Sequence, residues 1–123
     1  MKLIIAGGRE FNDYNLLCNE TTQFIEQELN PGEEVEIISG LARGADTLGC
    51  RYANEALFPL RGFAAEWGKF GRAAGPIRNK LMAKNASHLI AFWDGNSKGT
   101  MHMIDYAESM GLKVKVVMYD SNS

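Results

Sequence analysis

Short apolar runs alternate along this chain with longer segments in which apolar residues recur at a helical period. The runs cover residues 3–6, 35–38, 89–92 and 114–118, with a weaker one at 60–63. The helical patterns cover residues 12–29, 45–57, 76–85 and 101–110, with Asn12 or Asp13 as the first N-cap. Strands that alternate with helices throughout a chain are typical of βαβ units. The sequence therefore predicts an α/β fold.

The expected architecture is a single Rossmann-like domain over residues 1–119, followed by a polar tail at 120–123. Its sheet should be open, mainly parallel and five-stranded, with helices on both faces. The length of 123 residues and the 46% hydrophobic content are ordinary for one globular domain. No apolar run is long enough to span a membrane, and residues 1–3 lead directly into a strand, so we predict no signal peptide.

The two cysteines, Cys18 and Cys50, lie within helical patterns and lack the spacing of metal ligands. They are predicted to be reduced thiols in a cytoplasmic protein. We expect no metal site and no resident cofactor.

The net charge of −2 conceals an uneven distribution of charge along the chain. Residues 1–40 hold eight acidic and two basic side chains, whereas residues 61–84 hold six basic side chains and one acidic. An overall pI of about 5.7 argues against a general nucleic-acid surface, where positive charge dominates affinity. A local basic patch favours a phosphorylated small molecule as the partner.

Glycine-rich turns follow three of the predicted strands. They are Gly7-Gly8-Arg9, the segment Ser39-Gly40 with Arg43, Gly44 and Asp46, and the segment Asp94-Gly95 with Gly99 and Thr100. The carboxyl ends of parallel strands lie along one edge of a sheet, where ligands of such folds bind. Glycine lets the backbone approach a phosphate, and N–H groups at helix starts can donate to it. The turns match neither the G-x-G-x-x-G nor the G-x-x-x-x-G-K-[ST] pattern.

The stretch at 71–80, GRAAGPIRNK, is predicted to enter a helix at Gly75-Pro76 after a loop over residues 64–74. Arg72 precedes the helix and Arg78 is expected in its first turn, the end that favours anions. A bound phosphate accounts for cations there, and a solvated basic turn is the alternative.

Several candidate side chains have two interpretations. Asp46 could bind the ligand or only favour a helix start, and Asp94 could orient a sugar hydroxyl or only form a turn. His102 lies near the expected crevice. The aromatic rings that could stack on a base or pack in the core are those of Trp67, Phe70 and Trp93.

These motifs resemble the SLOG superfamily of Rossmann-like nucleotide-binding proteins, and its YspA branch, related to YpsA, in particular. The matching segments are residues 7–11, 39–46, 71–79 and 91–95 with 99–100. The resemblance implies a nucleotide-derived ligand and a homodimer. The second segment is also similar to a Ser-Gly-x-Ala-x-Gly-Ile-Asp element of the DNA-processing protein DprA.

A more distant resemblance is to the Lonely Guy (LOG) family, which removes the base from nucleoside monophosphates. Arg78 and Met82 match its arginine and methionine, and Gly99-Thr100 matches part of its glycine-rich motif. The position of that family's catalytic glutamate is Met103, which cannot transfer a proton. A carboxylate such as Asp94 or Asp46 would have to replace it.

The preferred functional prediction is that the protein is a sensor or sequestering module that binds a nucleotide or nucleotide derivative, such as AMP, NAD or ADP-ribose. The alternatives are an enzyme that hydrolyses a nucleotide N-glycosidic bond, with Arg78 and Asp94 as its catalytic residues, and a DprA-like single-strand binder. The predicted ligand-binding residues are Gly7, Gly8, Arg9, Ser39, Gly40, Arg43, Gly44, Asp46, Arg72, Arg78, Asn79, Asp94, Gly95, Gly99 and Thr100.

Overall fold

A computed structural model describes residues 1–120. Within this range the strands are β1 (Lys2–Gly7), β2 (Glu36–Ser39), β3 (Leu60–Gly62), β4 (His88–Trp93) and β5 (Lys113–Met118). The helices are α1 (Tyr14–Glu28), α2 (Ala45–Ala56), the short α3 (Trp67–Phe70), α4 (Ala74–Lys84) and α5 (Lys98–Ser109), and a 3-10 turn, Gly71–Ala73, joins α3 to α4.

The five strands form one parallel sheet in the order β3-β2-β1-β4-β5. The predicted α/β fold, a single domain with a five-stranded sheet, is confirmed, and every pairing is parallel. The chain builds outward from β1 to β3 and then returns to the other side of β1, where β4 pairs with it from Leu3–His88 to Gly7–Phe92. The strand order therefore reverses between β1 and β4, which is where a crevice opens at the carboxyl ends of such sheets.

Helices cover both faces of the sheet because the side chains of each strand alternate between two apolar layers. Leu3 and Ile5 belong to the layer that includes residues of α1 and α2, whereas Ile4 and Ala6 belong to the layer with α4 and α5. Leu3, Ile4 and Ile5 are fully buried, and each such side chain contributes roughly 1.5–3 kcal/mol through its removal from water. A strand buried on both faces needs a continuous apolar run, which explains the pattern at residues 3–6.

Two predicted boundaries are wrong. Residues 64–74 are not entirely a loop, because α3 and the 3-10 turn form there and lead into α4 at Ala74, two residues before Pro76. Pro76 is tolerated because its missing N–H falls in the first turn, where no helical partner exists. Arg78 consequently lies one residue beyond the first four positions of α4, not in its first turn.

The start of α5 also differs from the prediction, since the helix begins at Lys98 and not at Met101. Ser97 is its N-cap, and its hydroxyl accepts a hydrogen bond from the Thr100 N–H at 3.4 Å. At α1 the N-cap is Asp13, one of the two predicted residues, which accepts from the Leu16 N–H at 3.0 Å. Of the predicted polar tail, residues 121–123 lie outside the described residues. Among the helices of residues 1–120, none has the length and apolar character needed to cross a membrane.

Helix α2 approaches β1 closely at Gly49, where a Cβ would lie 2.9 Å from both Cβ and Cγ2 of Ile5. A side chain at this position would therefore force the helix away from the sheet or distort the core.

We expect Gly49→Ala to lower the free energy of unfolding by about 1–2 kcal/mol, because overpacking outweighs the gain of about 1 kcal/mol in helix propensity. Urea denaturation would measure the change. Gly68→Ala is the matched control, since Gly68 also lies in a helix, but apart from its chain neighbours and its own helix no atom lies within 4 Å of its added Cβ. Equal effects of the two substitutions would contradict the close packing of α2 on β1.

Candidate functional site

A cavity of about 320 Å³ lies at the carboxyl end of β1, bordered by the starts of α2, α4 and α5. Residues from these separate elements meet because parallel strands direct their following loops to one edge of the sheet. The lining residues are Ala6, Gly7, Arg9, Ala42, Asp46, Trp67, Gly75, Pro76, Arg78, Asn79, Met82, Ser97, Lys98, Gly99, Thr100, His102 and Met103.

Seven of the predicted ligand-binding residues line this cavity: Gly7, Arg9, Asp46, Arg78, Asn79, Gly99 and Thr100. A neighbouring recess of about 330 Å³ is lined by two more, Gly40 and Arg43, together with Arg9 and Arg78. The predicted residues that line neither space are Gly8, Ser39, Gly44, Arg72, Asp94 and Gly95.

Arg78 is half-buried between the two spaces and is held by neutral groups. Its Nη1 donates to the Gly40 carbonyl at 3.2 Å and its Nη2 to Oδ1 of Asn79 at 3.4 Å. Its Nε is buried and has no hydrogen-bond partner among the described residues. Burial lowers the pKa of the guanidinium below its usual range, which the nearby Asp46 carboxylate opposes and Arg9 reinforces. The site thus holds a charge that its own hydrogen bonds only partly satisfy.

Asp46, in the first turn of α2, is only 5% exposed. Its Oδ2 accepts a hydrogen bond from the Ala42 N–H at 3.2 Å. Burial raises the pKa of this carboxyl from 3.8 to about 6, although the Ala42 hydrogen bond and the positive charges of Arg78 and Arg9 act in the opposite direction. The carboxyl therefore changes charge near neutral pH beside a cluster of arginines.

Ser39, the last residue of β2, and Gly40, which follows it, pack against Asp46 and Arg78. The Ser39 hydroxyl, fully buried, donates to the Asp46 carbonyl at 3.3 Å and accepts from the Leu41 N–H at 3.1 Å. A Cβ at Gly40 would lie 2.9 Å from Oδ2 of Asp46 and 3.1 Å from Nε of Arg78. The glycine therefore lets both charged groups pack against the backbone.

The turn after β1 and the start of α2 are joined through the Gly8 carbonyl, which accepts from the N–H groups of Phe11 and Ala45, both at 3.2 Å. Gly44, the N-cap of α2, has a φ of 81° and lies against Gly8 and Arg9 so closely that a side chain would collide with their backbone. Gly8 and Gly44 thus position the cavity wall without lining it.

Asp94 forms the turn that precedes α5. Its Oδ1 accepts from the N–H groups of Asn96 and Ser97, both at 2.8 Å, and these bonds lower the pKa of the carboxyl. Gly95 takes the left-handed φ of 85° that the turn requires. Of the two interpretations of Asp94 that the sequence allowed, these contacts match the one in which it forms a turn.

Arg9 is exposed where it lines the two spaces, and the other two predicted arginines also lie toward solvent. Arg72 is exposed on the 3-10 turn between α3 and α4. Arg43 forms an ion pair with Glu10 at 2.7 Å in which both side chains are largely exposed, so the pair contributes little stability.

Asn79 connects Arg78 to the start of α5. Only 4% exposed, it accepts from Arg78 through Oδ1, while Nδ2 lies 3.4 Å from the Gly99 carbonyl and 3.1 Å from Nδ1 of His102. Because the amide nitrogen can only donate, Nδ1 of His102 is the acceptor, and the proton of the neutral ring resides on Nε2. His102 thus has a fixed orientation in the wall of the cavity.

Of the three aromatic candidates, Trp67 lines the cavity and is 50% exposed. The centroid of its ring lies 5.7 Å from Cζ of Arg9. Trp93 packs against the core and donates from Nε1 to the Ser97 carbonyl at 3.1 Å, and Phe70 lines neither space.

Reasoning from the sequence missed Ser97 and Lys98 as lining residues, because it placed the helix start too late. An N-cap serine three residues before Thr100 was the available signal. In the part of the chain that the structure describes, no three His, Cys, Asp or Glu side chains come together to form a metal site.

The raised pKa of Asp46 has a consequence for stability. A folded pKa of about 6 against an ordinary 3.8 means that the carboxylate opposes folding above pH 6, by about 2–3 kcal/mol, and that this loss disappears as the pH falls toward 4. We expect Asp46→Asn to raise the free energy of unfolding by this amount at pH 8 and by much less at pH 4. Urea denaturation at the two pH values would measure it.

The control for this comparison is Asp105→Asn on the exposed side of α5. It should change stability little at either pH. A pH-independent effect of Asp46→Asn would contradict the assignment.

Comparison with known protein families yields one result. Residues 1–70, from β1 through α3, match the model of the YspA, cpYpsA-related SLOG family. No curated protein and no solved structure matches the chain. The matched segment contains Gly7, Arg9, Asp46 and Trp67 of the cavity, whereas Arg78 and α5 lie beyond it. Because the match covers more than half of the sequence, the chain belongs to the YspA, cpYpsA-related SLOG family.

Proposed function

We propose that this protein binds a nucleotide or a nucleotide derivative in the cavity between β1 and the starts of α2, α4 and α5, and that it acts as a sensor or sequestering module. Family membership supports a nucleotide-related role.

The observation that carries the proposal is that Arg9 and Arg78 share one cavity with the first turn of α5. In residues 1–120, no carboxylate forms a salt bridge with Arg78. The N–H groups of Lys98 and Gly99 lie in the first helical turn, where backbone donors lack helical acceptors. Guanidinium groups and a helix N-terminus together bind phosphate.

The remainder of the cavity wall suits a nucleobase. Met82 and Met103 are buried and apolar, and the half-exposed ring of Trp67 also lines the cavity. Stacking of a base on an aromatic side chain contributes about 1–3 kcal/mol. His102 and Asn79 supply polar groups at the same wall. The phosphate and the base would thus contact different sets of lining residues within one cavity.

Met103 supports binding in preference to turnover by the LOG mechanism. It is 2% exposed and lines the cavity at the position that corresponds to the catalytic glutamate of that family. A thioether neither donates nor accepts a proton at the sugar.

Isothermal titration calorimetry against AMP, NAD, ADP-ribose and cyclic nucleotides tests the proposal. We expect at least one ligand to bind below millimolar concentration, and Arg78→Ala to weaken it roughly ten- to a hundredfold, because a charged hydrogen bond is worth about 1.5–3 kcal/mol. Arg72→Ala is the matched control from the same basic segment, and its exposed position predicts a change of less than about twofold. Failure of every nucleotide to bind would refute the proposal, and equal losses in both variants would refute the assigned location.

A second candidate function is N-glycosidic hydrolysis with Asp46 as the proton donor. The observation in its favour is that Asp46 lines the cavity with a pKa of about 6, so part of the population is protonated near neutral pH. Asp94, the other candidate for the proton donor, does not line the cavity, and the pKa of its carboxyl is lowered.

Chromatographic detection of free base from nucleoside monophosphates tests this candidate. We expect Asp46→Asn to abolish any release, whereas Asp94→Asn should retain it if the protein remains folded. Absence of release from the unmodified protein would dismiss hydrolysis of these substrates and leave the binding proposal standing.

A further inference from the structure

His102 lines the cavity just beyond the first turn of α5, and one of its two ring nitrogens is free to bind a ligand. Nδ1 lies 3.1 Å from Nδ2 of Asn79. Nε2 forms no hydrogen bond with any group of residues 1–120, and it is not buried. The protonation of this accessible nitrogen therefore decides whether the ring offers a ligand a donor or an acceptor.

The orientation of the Asn79 amide determines where the ring proton lies. Nη2 of Arg78, which can only donate, is 3.4 Å from Oδ1, and the Gly99 carbonyl, which can only accept, is 3.4 Å from Nδ2. A flipped amide would place two donors together at Arg78 and two acceptors together at Gly99. The amide nitrogen therefore faces His102, and Nδ1 of the ring must accept.

A neutral imidazole whose Nδ1 accepts carries its proton on Nε2. The accessible nitrogen of His102 is consequently a hydrogen-bond donor. The ring plane is also restrained, because the Tyr106 ring lies nearly parallel to it, at 11° and with centroids 6.2 Å apart. Asn79, which is 4% exposed, uses both N–H groups and its oxygen on protein partners, so it positions the ring and has no further donor for a ligand.

The place of His102 along α5 separates it from the proposed phosphate site. Three residues lie between the Gly99 N–H, in the first turn, and that of His102, which is about 4.5 Å along the helix axis. Met82 and Met103, both buried, line the same cavity. A donor beside apolar side chains discriminates between ligands, because a polar atom that leaves water there without a partner loses free energy.

From this geometry we infer that His102 is a specificity-determining residue whose Nε2–H donates to an acceptor on the base, either a ring nitrogen or a carbonyl oxygen. Asn79 is the positioning residue that holds the ring in this tautomer. The inference rests on the proposed function and deepens it. Both residues lie beyond residues 1–70, the segment that matches the family model, so the match assigns them no role.

Nitrogen-15 NMR of the full chain at pH 8 tests the tautomer without a ligand. The chain has two histidines, and His88→Gln assigns their signals. We expect a protonated Nε2 and an unprotonated Nδ1 for His102. Asn79→Asp replaces the donor with an acceptor and should move the proton to Nδ1. Asn79→Leu, which removes the donor without adding charge, should give a mixture of tautomers and replaces Asn79→Asp if that variant does not fold.

Calorimetric titration of AMP, GMP, CMP, UMP and ribose 5-phosphate tests the contact with the base. His102→Phe retains a ring beside Tyr106 but has no donor, so the affinity for the preferred nucleotide should fall about tenfold. The affinity for ribose 5-phosphate, which has no base, should stay within about twofold. His102→Gln, whose amide can donate from a similar position, should retain nucleotide affinity within about threefold.

His88→Phe is the matched control, because His88 is the first residue of β4 and does not line the cavity. It should leave every affinity unchanged. If a nucleotide binds but His102→Phe does not weaken it, or weakens ribose 5-phosphate equally, the role of His102 is wrong and the proposed function stands. A proton on Nδ1 in the unmodified protein would also overturn the inference. If no nucleotide binds the unmodified protein, the proposed function and the inference fail together.

Discussion

The close approach of three elements at the end of β1 is the constraint on which the rest of the site depends. The Gly8 N–H donates to the Phe92 carbonyl at 3.0 Å, which extends the pairing of β1 with β4 into the turn. A side chain at Gly7 would collide with that carbonyl and would lie 2.9 Å from the Cβ of Ala45, the first residue of α2. Because Gly7 has no side chain, the start of α2 can pack against the turn and place Asp46 beside Arg78.

The burial of the Asp46 and Arg78 charges is by itself unfavourable for folding. Burial raises the pKa of Asp46 and lowers that of Arg78, which favours the neutral form of each group. The Ala42 hydrogen bond to Asp46 and the attraction between the two charges compensate only in part. Perturbed ionisable groups are concentrated at functional sites, because binding and chemistry need charges that water does not neutralise. An anion that contacts the guanidinium of Arg78 would add charge-assisted hydrogen bonds to a group whose present partners are the neutral Gly40 carbonyl and Asn79 amide.

The sequence predicts the strands well because each central strand is buried on both faces, and a continuous apolar run leaves few alternatives. It also predicts which loops meet, since parallel strands place all their carboxyl ends together. This rule predicted that Gly7, Arg9 and Asp46 lie together, whereas Arg78 was predicted from the helix-start segment at 71–80 and Asn79 from the family resemblance.

Other features depend on tertiary contacts that have no sequence period. Helix α4 begins at Ala74 because a 3-10 turn leads into it, and this moves Arg78 away from the first turn. Arg72 and Arg78 are six residues apart and of the same type, yet only Arg78 packs against Gly40. The division of the crevice into two neighbouring spaces depends on side-chain directions, which spacing along the chain does not encode.

Tyr119, just past β5, links the end of the described chain to its beginning. Its hydroxyl occupies the place where a Cβ at Gly8 would be, and its ring meets the Phe11 ring edge-on at 4.8 Å. Tyr119 follows all the strands and helices of residues 1–120, so the turn after β1 acquires its packing against this ring only after the chain has been synthesised through β5. Affinity tags or fusion partners joined directly after Tyr119 would consequently act on the edge of the sheet that borders the cavity, although they are remote from β1 in the linear order of residues.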